Sequence, residues 1–445
     1  MEPLLERLVA EFHERELPQP TPRNVRLPWL PGKADAVVGM RRSGKTWFLY
    51  RVVQDRVAAG VPKEHHLYMN FEDDRLAGVT AEHLDLLLQV YYRRVPEARE
   101  AGATILLDEV QNVPGWERFV RRVLDTERVH VCLTGSSAAL LAREVATAMR
   151  GRSIATEMFP FDFGEFLAHR GFVRPEHSPA GTTRSFLEAR LGEFLTQGGF
   201  PEVQGVDPWI RQRILQDYVD VVVLRDVAER HGITNVPALR YVVRQILHAP
   251  GGMFSVNKLH NDLKSQGLTA GRPLVHQMIE ALEDAYLLFR LPLADRSLRR
   301  RQVNPPKMYP VDPGLAYCMS PAVTPEWGRL LETAVFLWLR RRGWDLGYHR
   351  TRSGREVDFL ATSPQGSRWL IQVCADLRGE ATRRRELRAL DEAMAETGLS
   401  QAAVITLYEE DLLDLGGKAL PVIPAWRWFL WPPEGAVASP GPFGP

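Results

Sequence analysis

The chain has 445 residues, a formal net charge of +1 and 45% hydrophobic residues. These values exclude a uniformly basic nucleic-acid coat and a disordered polyelectrolyte, so contact with a polyanion must come from local patches. No uncharged apolar run approaches the ~18 residues of a membrane span, and the early acids of MEPLLERLVAEF argue against a signal peptide; a soluble, cytoplasmic protein of about three domains is expected. The three cysteines, Cys132, Cys318 and Cys374, fit no zinc spacing and read as buried reduced thiols.

From Ala34 to about Phe166, short apolar runs (ADAVVG, HLYMNF, ATILLDE, VHVCLTG, RSIATEMF) alternate with amphipathic segments such as TWFLYRVVQDRVAAG and WERFVRRVLDTE. Strands alternating with helices predict βαβ crossovers and a parallel sheet covered on both faces. A loop-like stretch, GFVRPEHSPAGTTR, follows at Gly171–Arg184. Residues 185–233 read as a helical segment. Residues 234–318 read helix, helix, helix, then strand, an order that resembles a winged helix. A further α/β stretch covers 326–431, and the Pro- and Gly-rich tail at 432–445 is expected to be disordered.

Within the first stretch, Gly39–Thr46 is GMRRSGKT, which satisfies G-x-x-x-x-G-K-[ST] between a predicted strand and a predicted helix. The loop residues Gly39, Met40, Arg41, Arg42, Ser43, Gly44, Lys45 and Thr46, with Trp47 behind them, are the expected ATP-binding set. Glycines let the backbone approach phosphate, and the helix N-terminus faces it with N–H groups. Lys45 would neutralise the β- and γ-phosphates, and Thr46 would offer its hydroxyl to Mg²⁺. Ile105–Glu109 (ILLDE) ends a predicted central strand in two acids. Asp108 is expected in the magnesium shell and Glu109 beside the attacking water. The strand VHVCLTGSS ends in Thr134, Ser136 and Ser137, with Ser136 either a polar sensor of the γ-phosphate or a helix cap.

The Arg272–Leu288 segment holds the expected recognition helix of the winged-helix-like region. After it, Arg290, Arg296, Arg299, Arg300, Arg301 and Lys307 face one acid, Asp295. Arg296, Arg299, Arg300, Arg301 and Lys307 are the candidate DNA contacts, placed where a wing would meet phosphates; a solvated charged face is the alternative.

Taken in order, GMRRSGKT, YMNFEDDRL, LLDEVQNVPGWERFVRRVL, LTGSSAALL, RGRSIATEMFPFDFGEFL and GGFPEV resemble an AAA+-like ATPase family of bacteria and archaea, over nearly the whole chain. The resemblance implies an α/β fold: a P-loop NTPase core at 1–170 with a parallel sheet, a helical lid at 185–233, a winged helix at 234–318 and a restriction-endonuclease-like α/β domain at 326–431. It implies that Arg152 or Arg150, in MRGRS, reaches the γ-phosphate of a neighbouring subunit, and hence self-association into a ring, with a hexamer favoured. Pairing with acids of their own subunit is the alternative for these arginines. It further aligns Glu332, Asp358 and Gln372 with a nuclease metal site in which Gln372 stands for an acid and Cys374 for the lysine. No lysine lies between Lys307 and Lys418, and Glu356 is expected to face away from Asp358, so nuclease chemistry is not expected there. The reading is a Mg²⁺-dependent, ATP-hydrolysing motor that acts on DNA and does not enter membranes. An ATP-driven signalling switch with a protein partner and an ATPase-controlled DNA nuclease remain alternatives.

Overall fold

The computed structural model describes residues 1–136, 149, 151–295, 297–320, 324–433 and 436. Two compact units divide it: Met1–Phe159 with Asp284–Tyr286, and Pro160–Glu283 with Leu287–Pro445. Among the described residues no helix is long and apolar enough to cross a membrane.

The first unit is built on five strands: β1 (Ala34–Val38), β2 (His66–Asn70), β3 (Ala103–Asp108), β4 (Val129–Gly135) and β5 (Ser153–Glu157). They form one sheet in the order β2-β3-β4-β1-β5, and every pairing is parallel. The five apolar runs read from the sequence are these strands. Every residue of β1 and β3 is buried, as a sheet with both faces covered requires. The helix Lys45–Ala58 packs Phe48, Leu49, Val52 and Val53 into a core with Val37, Tyr68, Leu106, Cys132 and Phe12, the last from the N-terminal helix Glu2–Glu14.

The strand order has a direct consequence for chemistry. Strand β4 lies between β1, which leads into the phosphate loop, and β3, which carries the two acids. All three end on the same edge because the sheet is parallel, and ligands of such sheets bind outside the carboxyl ends of the strands.

The second unit begins with the helices Phe163–His169, Thr182–Gln197 and Pro208–Val221, the last continuing as a π-helix through Glu229. Helices Val236–His248, Val256–Ser265 and Arg272–Asp284 follow. Strands β6 (Leu288–Leu291) and β7 (Lys307–Pro310) then pair antiparallel. Between them lies the short helix Leu298–Val303, whose residues are all exposed or half-buried.

The C-terminal part is a six-stranded mixed sheet of β8 (Asp345–Arg350), β9 (Glu356–Thr362), β10 (Arg368–Val373), β11 (Ala402–Thr406), β12 (Asp411–Leu415) and β13 (Lys418–Pro424), in the order β12-β13-β11-β10-β9-β8. Strands β10, β11 and β13 run parallel to one another, and the other pairings are antiparallel. The helix Glu380–Thr397 buries Ala389, Leu390, Ala393 and Met394 against Val357, Leu370, Val404 and Val422. Cys132 and Cys374 are buried and Cys318 is half-buried; all three are free thiols.

Candidate nucleotide site and a second polar cluster

The loop after β1 is shaped by close approach. An added Cβ at Gly39 would stand 2.0 Å from the Met158 carbonyl oxygen, so only glycine fits there. Gly44 has φ 98° and opens the helix that begins at Lys45. Arg42 (φ 65°) and Glu109 (φ 52°) also hold left-handed backbone, a conformation that costs a side-chain-bearing residue free energy and collects at functional sites.

Lys45 is 4% exposed. Its Nζ donates to the carbonyls of Gly39 (3.0 Å) and Met40 (3.2 Å) and lies 3.5 Å from Glu109 Oε1. Thr46 Oγ1 donates to Asp108 Oδ2 at 2.7 Å. Tyr68, on β2, donates to the same oxygen at 3.0 Å. Thr134, on β4, donates to Asp108 Oδ1 and accepts from the Glu109 backbone N–H at 2.9 Å. Lys45, Thr46, Asp108, Glu109 and Thr134 thus converge at the ends of three neighbouring strands.

The two adjacent acids are pushed in opposite directions. Burial raises the Asp108 carboxyl above its usual range, and the neighbouring Glu109 charge pushes it the same way, against hydrogen bonds from Thr134, Thr46 and Tyr68. Burial also works against Glu109, but the Lys45 ammonium and the Gln111 amide, whose Nε2 donates at 2.5 Å, hold it below the ordinary value. Glu109 is therefore a carboxylate at neutral pH, the state a group that accepts a proton from water must have.

Two buried hydroxyls here, Ser43 Oγ and Ser136 Oγ, have no partner among the described residues. Buried polar groups are satisfied in working proteins, so these donors fit a phosphate and its water. The fit to Mg²⁺ rests on a hydroxyl and a carboxylate side by side, Thr46 and Asp108, the oxygen donors a hard cation takes alongside phosphate oxygens.

The remaining loop residues are distributed as follows. Met40 is fully buried. Arg41 pairs with Glu72, Arg42 is exposed, and Trp47 is half exposed. Arg152 pairs with Asp125 of its own chain on the surface; Arg150 and Ser137 lie outside the described residues. Sequence reasoning missed Tyr68, whose signal was a lone hydroxyl in an apolar strand. It also missed Arg23, whose guanidinium donates to the carbonyls of Ser43 (2.9 Å) and Phe159 (2.5 Å) and ties the N-terminal segment to the phosphate loop.

In the second unit, Arg299, Arg300 and Arg301 are exposed, with Arg300 paired to Asp295 at 2.9 Å. Arg296 lies outside the described residues. Lys307 is a correction: expected on the exposed basic segment, it is 3% exposed. Its Nζ stands 2.8 Å from carboxylate oxygens of Glu332, Glu356 and Asp358. The reason is positional, since Lys307 opens β7, whose residues are all buried. The expectation that no lysine reaches these acids fails because the lysine comes from just outside the α/β stretch. The expectation that Glu356 and Asp358 face apart also fails, because strand residues two apart share a face.

The cluster is wired throughout. Tyr309 donates to Glu332 Oε1 at 2.6 Å. Asp358 Oδ2 accepts from the Val373 backbone N–H at 3.0 Å. Gln372 accepts from the Asp358 N–H at 3.3 Å and donates to Glu386 Oε2 at 2.7 Å. Burial, reinforced by Asp358, pushes Glu332 up to about 7 against the pull of Lys307. Burial works against the Lys307 ammonium, but Tyr309 and the three carboxylates outweigh it and hold it well above its ordinary value. Cys374, aligned by resemblance with a lysine, donates to the Asp376 carbonyl at 2.9 Å.

Comparison with known proteins gives three adjoining family matches: an AAA domain over residues 32–167, a domain of unknown function (DUF8612) over 188–326, and another (DUF4143) over 327–428. Among solved structures the chain is similar to the Walker-type ATPase PABY2304 of Pyrococcus abyssi, at 15% identity and a TM-score of 0.41, covering 72% of this chain and 95% of that one. An uncharacterized protein of Haemophilus influenzae is 29% identical over 327 residues, 73% of this chain and 78% of that protein. Uncharacterized protein MJ1544 of Methanocaldococcus jannaschii is 32% identical over 419 residues, 92% of this chain and 90% of that protein. The chain therefore belongs to the family of that Methanocaldococcus protein, and its residues 32–167 match an AAA domain.

Proposed function

We propose that the protein is a Mg²⁺-dependent ATPase that converts hydrolysis into work on duplex or branched DNA, acting as an oligomeric ring. The observation that carries the ATPase reading is the convergence of Lys45, Thr46, Asp108 and Glu109, with Glu109 ionised beside the Lys45 ammonium. Bound Mg²⁺ would neutralise charge on the phosphates. Lys45 exchanges its loop carbonyls for phosphate oxygens. Thr46 and Asp108 would hold the cation, Glu109 would polarise the attacking water, and the Ser43 and Ser136 hydroxyls, buried without a partner among the described residues, would donate to phosphate or water. Developing charge is met by fixed donors in a buried site, where such donors count most.

The DNA and ring parts rest on other features. Exposed Arg299, Arg300 and Arg301 lie on the short helix between two strands that follow three helices, an arrangement compatible with a winged helix. Arg152 is half-buried and, among the described residues, its side chain is held by a surface ion pair with Asp125, which is worth little, so it is available to a neighbouring subunit. Steady-state ATP hydrolysis with and without duplex, single-stranded and four-way-junction DNA tests the reading, with Lys45→Ala as the blank. Stimulation by one DNA form supports it. Hydrolysis indifferent to all three rejects the motor and favours a switch that signals to a protein.

A further inference from the structure

Residues 21–29 run along the first unit as an irregular strap. Thr21, Arg23, Val25, Leu27 and Trp29 are half-buried and the residues between them are exposed, the period of two of an extended chain laid on a surface. Val25, Leu27 and Trp29 pack against the core that holds Phe48 and Leu49. Arg23 falls in the same phase of the strap yet carries a charge. Its guanidinium spans two main-chain oxygens: Nη1 donates to the carbonyl of Ser43 at 2.9 Å and Nη2 to that of Phe159 at 2.5 Å.

Both acceptors belong to the frame of the phosphate loop. Ser43 is fully buried and precedes Gly44, the N-cap of the helix Lys45–Ala58. Phe159 follows Met158, whose N–H bonds the Val38 carbonyl at 2.7 Å and whose own carbonyl makes the close approach to Gly39. One side chain therefore ties the second half of the loop to the segment that confines its first glycine. The Ser43–Gly44 peptide is trans, so the Gly44 N–H points away from the carbonyl that Arg23 holds. A cationic donor on that carbonyl fixes the plane of the peptide. It also polarises the amide and so strengthens the N–H on the far side as a donor. Lys45 bonds the loop carbonyls of Gly39 and Met40 as well, but those bonds are surrendered once its ammonium turns to phosphate. The bonds from Arg23 are independent of that turn.

We propose that Arg23 is a positioning residue of the nucleotide site, which holds the Ser43–Gly44 peptide with its N–H toward the β-phosphate of ATP or ADP. The inference rests on the ATPase reading of the loop. Arg23 acts through the loop and not on the phosphate, and the β-phosphate stays in place through hydrolysis. Its contribution is therefore the same in the bound substrate and in the transition state, which changes KM and leaves kcat alone.

The test is the affinity for fluorescent ATP and ADP analogues, together with KM and kcat for ATP, in the intact protein well below its melting temperature. Arg23→Met should weaken both nucleotides about tenfold, as expected for a lost hydrogen bond to a charged group, and raise KM alike while kcat stays within about twofold. Arg23→Lys keeps the charge and a donor but not the planar fork, so it should lose only about threefold. Gln54→Met is the control for a loosened strap: Gln54 Nε2 donates to the carbonyls of Leu17 (3.5 Å) and Pro18 (3.0 Å), away from the loop, and its loss should leave both affinities at the wild-type value. Wild-type affinity in Arg23→Met overturns the proposal; if that variant does not fold, wild-type affinity in Arg23→Lys does so. A loss in kcat with KM unchanged also overturns it, as does an equal loss of affinity in Gln54→Met, because slackness of the strap then explains the effect. A wild-type protein that binds neither nucleotide overturns the ATPase reading together with this one, whereas tight binding by wild type and Arg23→Met alike removes this inference alone.

Discussion

Tyr68 donates a hydrogen bond across 3.0 Å to Asp108 Oδ2, the same oxygen that accepts from Thr46. The donor comes from the strand next to β3 and is itself packed against Phe12, ring centroids 5.1 Å apart. Its position is set by the core, so it restrains the carboxylate independently of nucleotide. Tyr68→Phe keeps the ring and removes one hydrogen bond, worth about 1 kcal/mol. The expected result is roughly a fivefold loss in apparent Mg²⁺ affinity during ATP hydrolysis, read from Mg²⁺ titrations of the rate, with a melting temperature lowered by no more than about 2–4 °C.

Gly39→Ala should be far more damaging than its size implies. The new methyl would lie 2.0 Å from a backbone oxygen, and backbone has no rotamer by which to withdraw. The loop must shift, which displaces the carbonyls that hold Lys45. Nucleotide binding, followed by fluorescence of a labelled ATP analogue, should disappear while the far-ultraviolet dichroism remains. Binding at wild-type affinity would show that the loop is softer than the close approach implies.

Lys307 is braced by three carboxylates in a buried setting. Removing one partner of such a network typically costs about 3–5 kcal/mol, because the rest is left uncompensated. Lys307→Met should therefore lower the unfolding free energy of the second unit, read from denaturant titration, by an amount in that range, whereas Arg299→Ala, on the exposed helix, should not move it. Equal small effects would place Lys307 outside the fold's support.

Asp312 gives a pH signature. Its carboxylate accepts the backbone N–H groups of Gly199 (2.6 Å) and Leu315 (2.9 Å), yet burial pushes it up to about 6. Free in an unfolded chain it titrates near 4. Between those values the folded state binds more protons than the unfolded one, so stability falls as pH rises from about 4 to about 6. The ceiling for that loss is about 3 kcal/mol, at about 1.4 kcal/mol per pH unit. Unfolding measured across that window should show the slope in wild type and not in Asp312→Asn.

The first unit was legible because its signals are local. Each strand is a continuous apolar run, the glycines and Lys45 sit in one loop, and the acids end one strand. Glu109's setting was not legible: that it is ionised depends on Lys45 and Gln111, and its left-handed backbone leaves no mark in ILLDE. Tyr68 was hidden because a tyrosine in an apolar strand reads as packing. The second cluster was misread because its parts come from five separate segments. Lys307 looked like the end of a basic run, although its neighbours in KMYP are those of a buried strand. Glu386 sits within RRREL and reads as surface, yet it falls in helical phase with the buried Ala389, Leu390 and Ala393. A carboxylate on the buried face of a helix was the available signal.

The most direct test of the account separates binding from hydrolysis at Glu109. Nucleotide affinity and single-turnover hydrolysis should be measured with Mg²⁺ and ATP for wild type and Glu109→Gln. If Glu109 polarises the attacking water, the variant binds ATP as tightly as wild type and hydrolyses it roughly a hundredfold or more slowly, within the range of a lost general base. Hydrolysis by Glu109→Gln at the wild-type rate would contradict the assignment, and a wild-type protein that binds ATP without turning it over would contradict the ATPase reading itself.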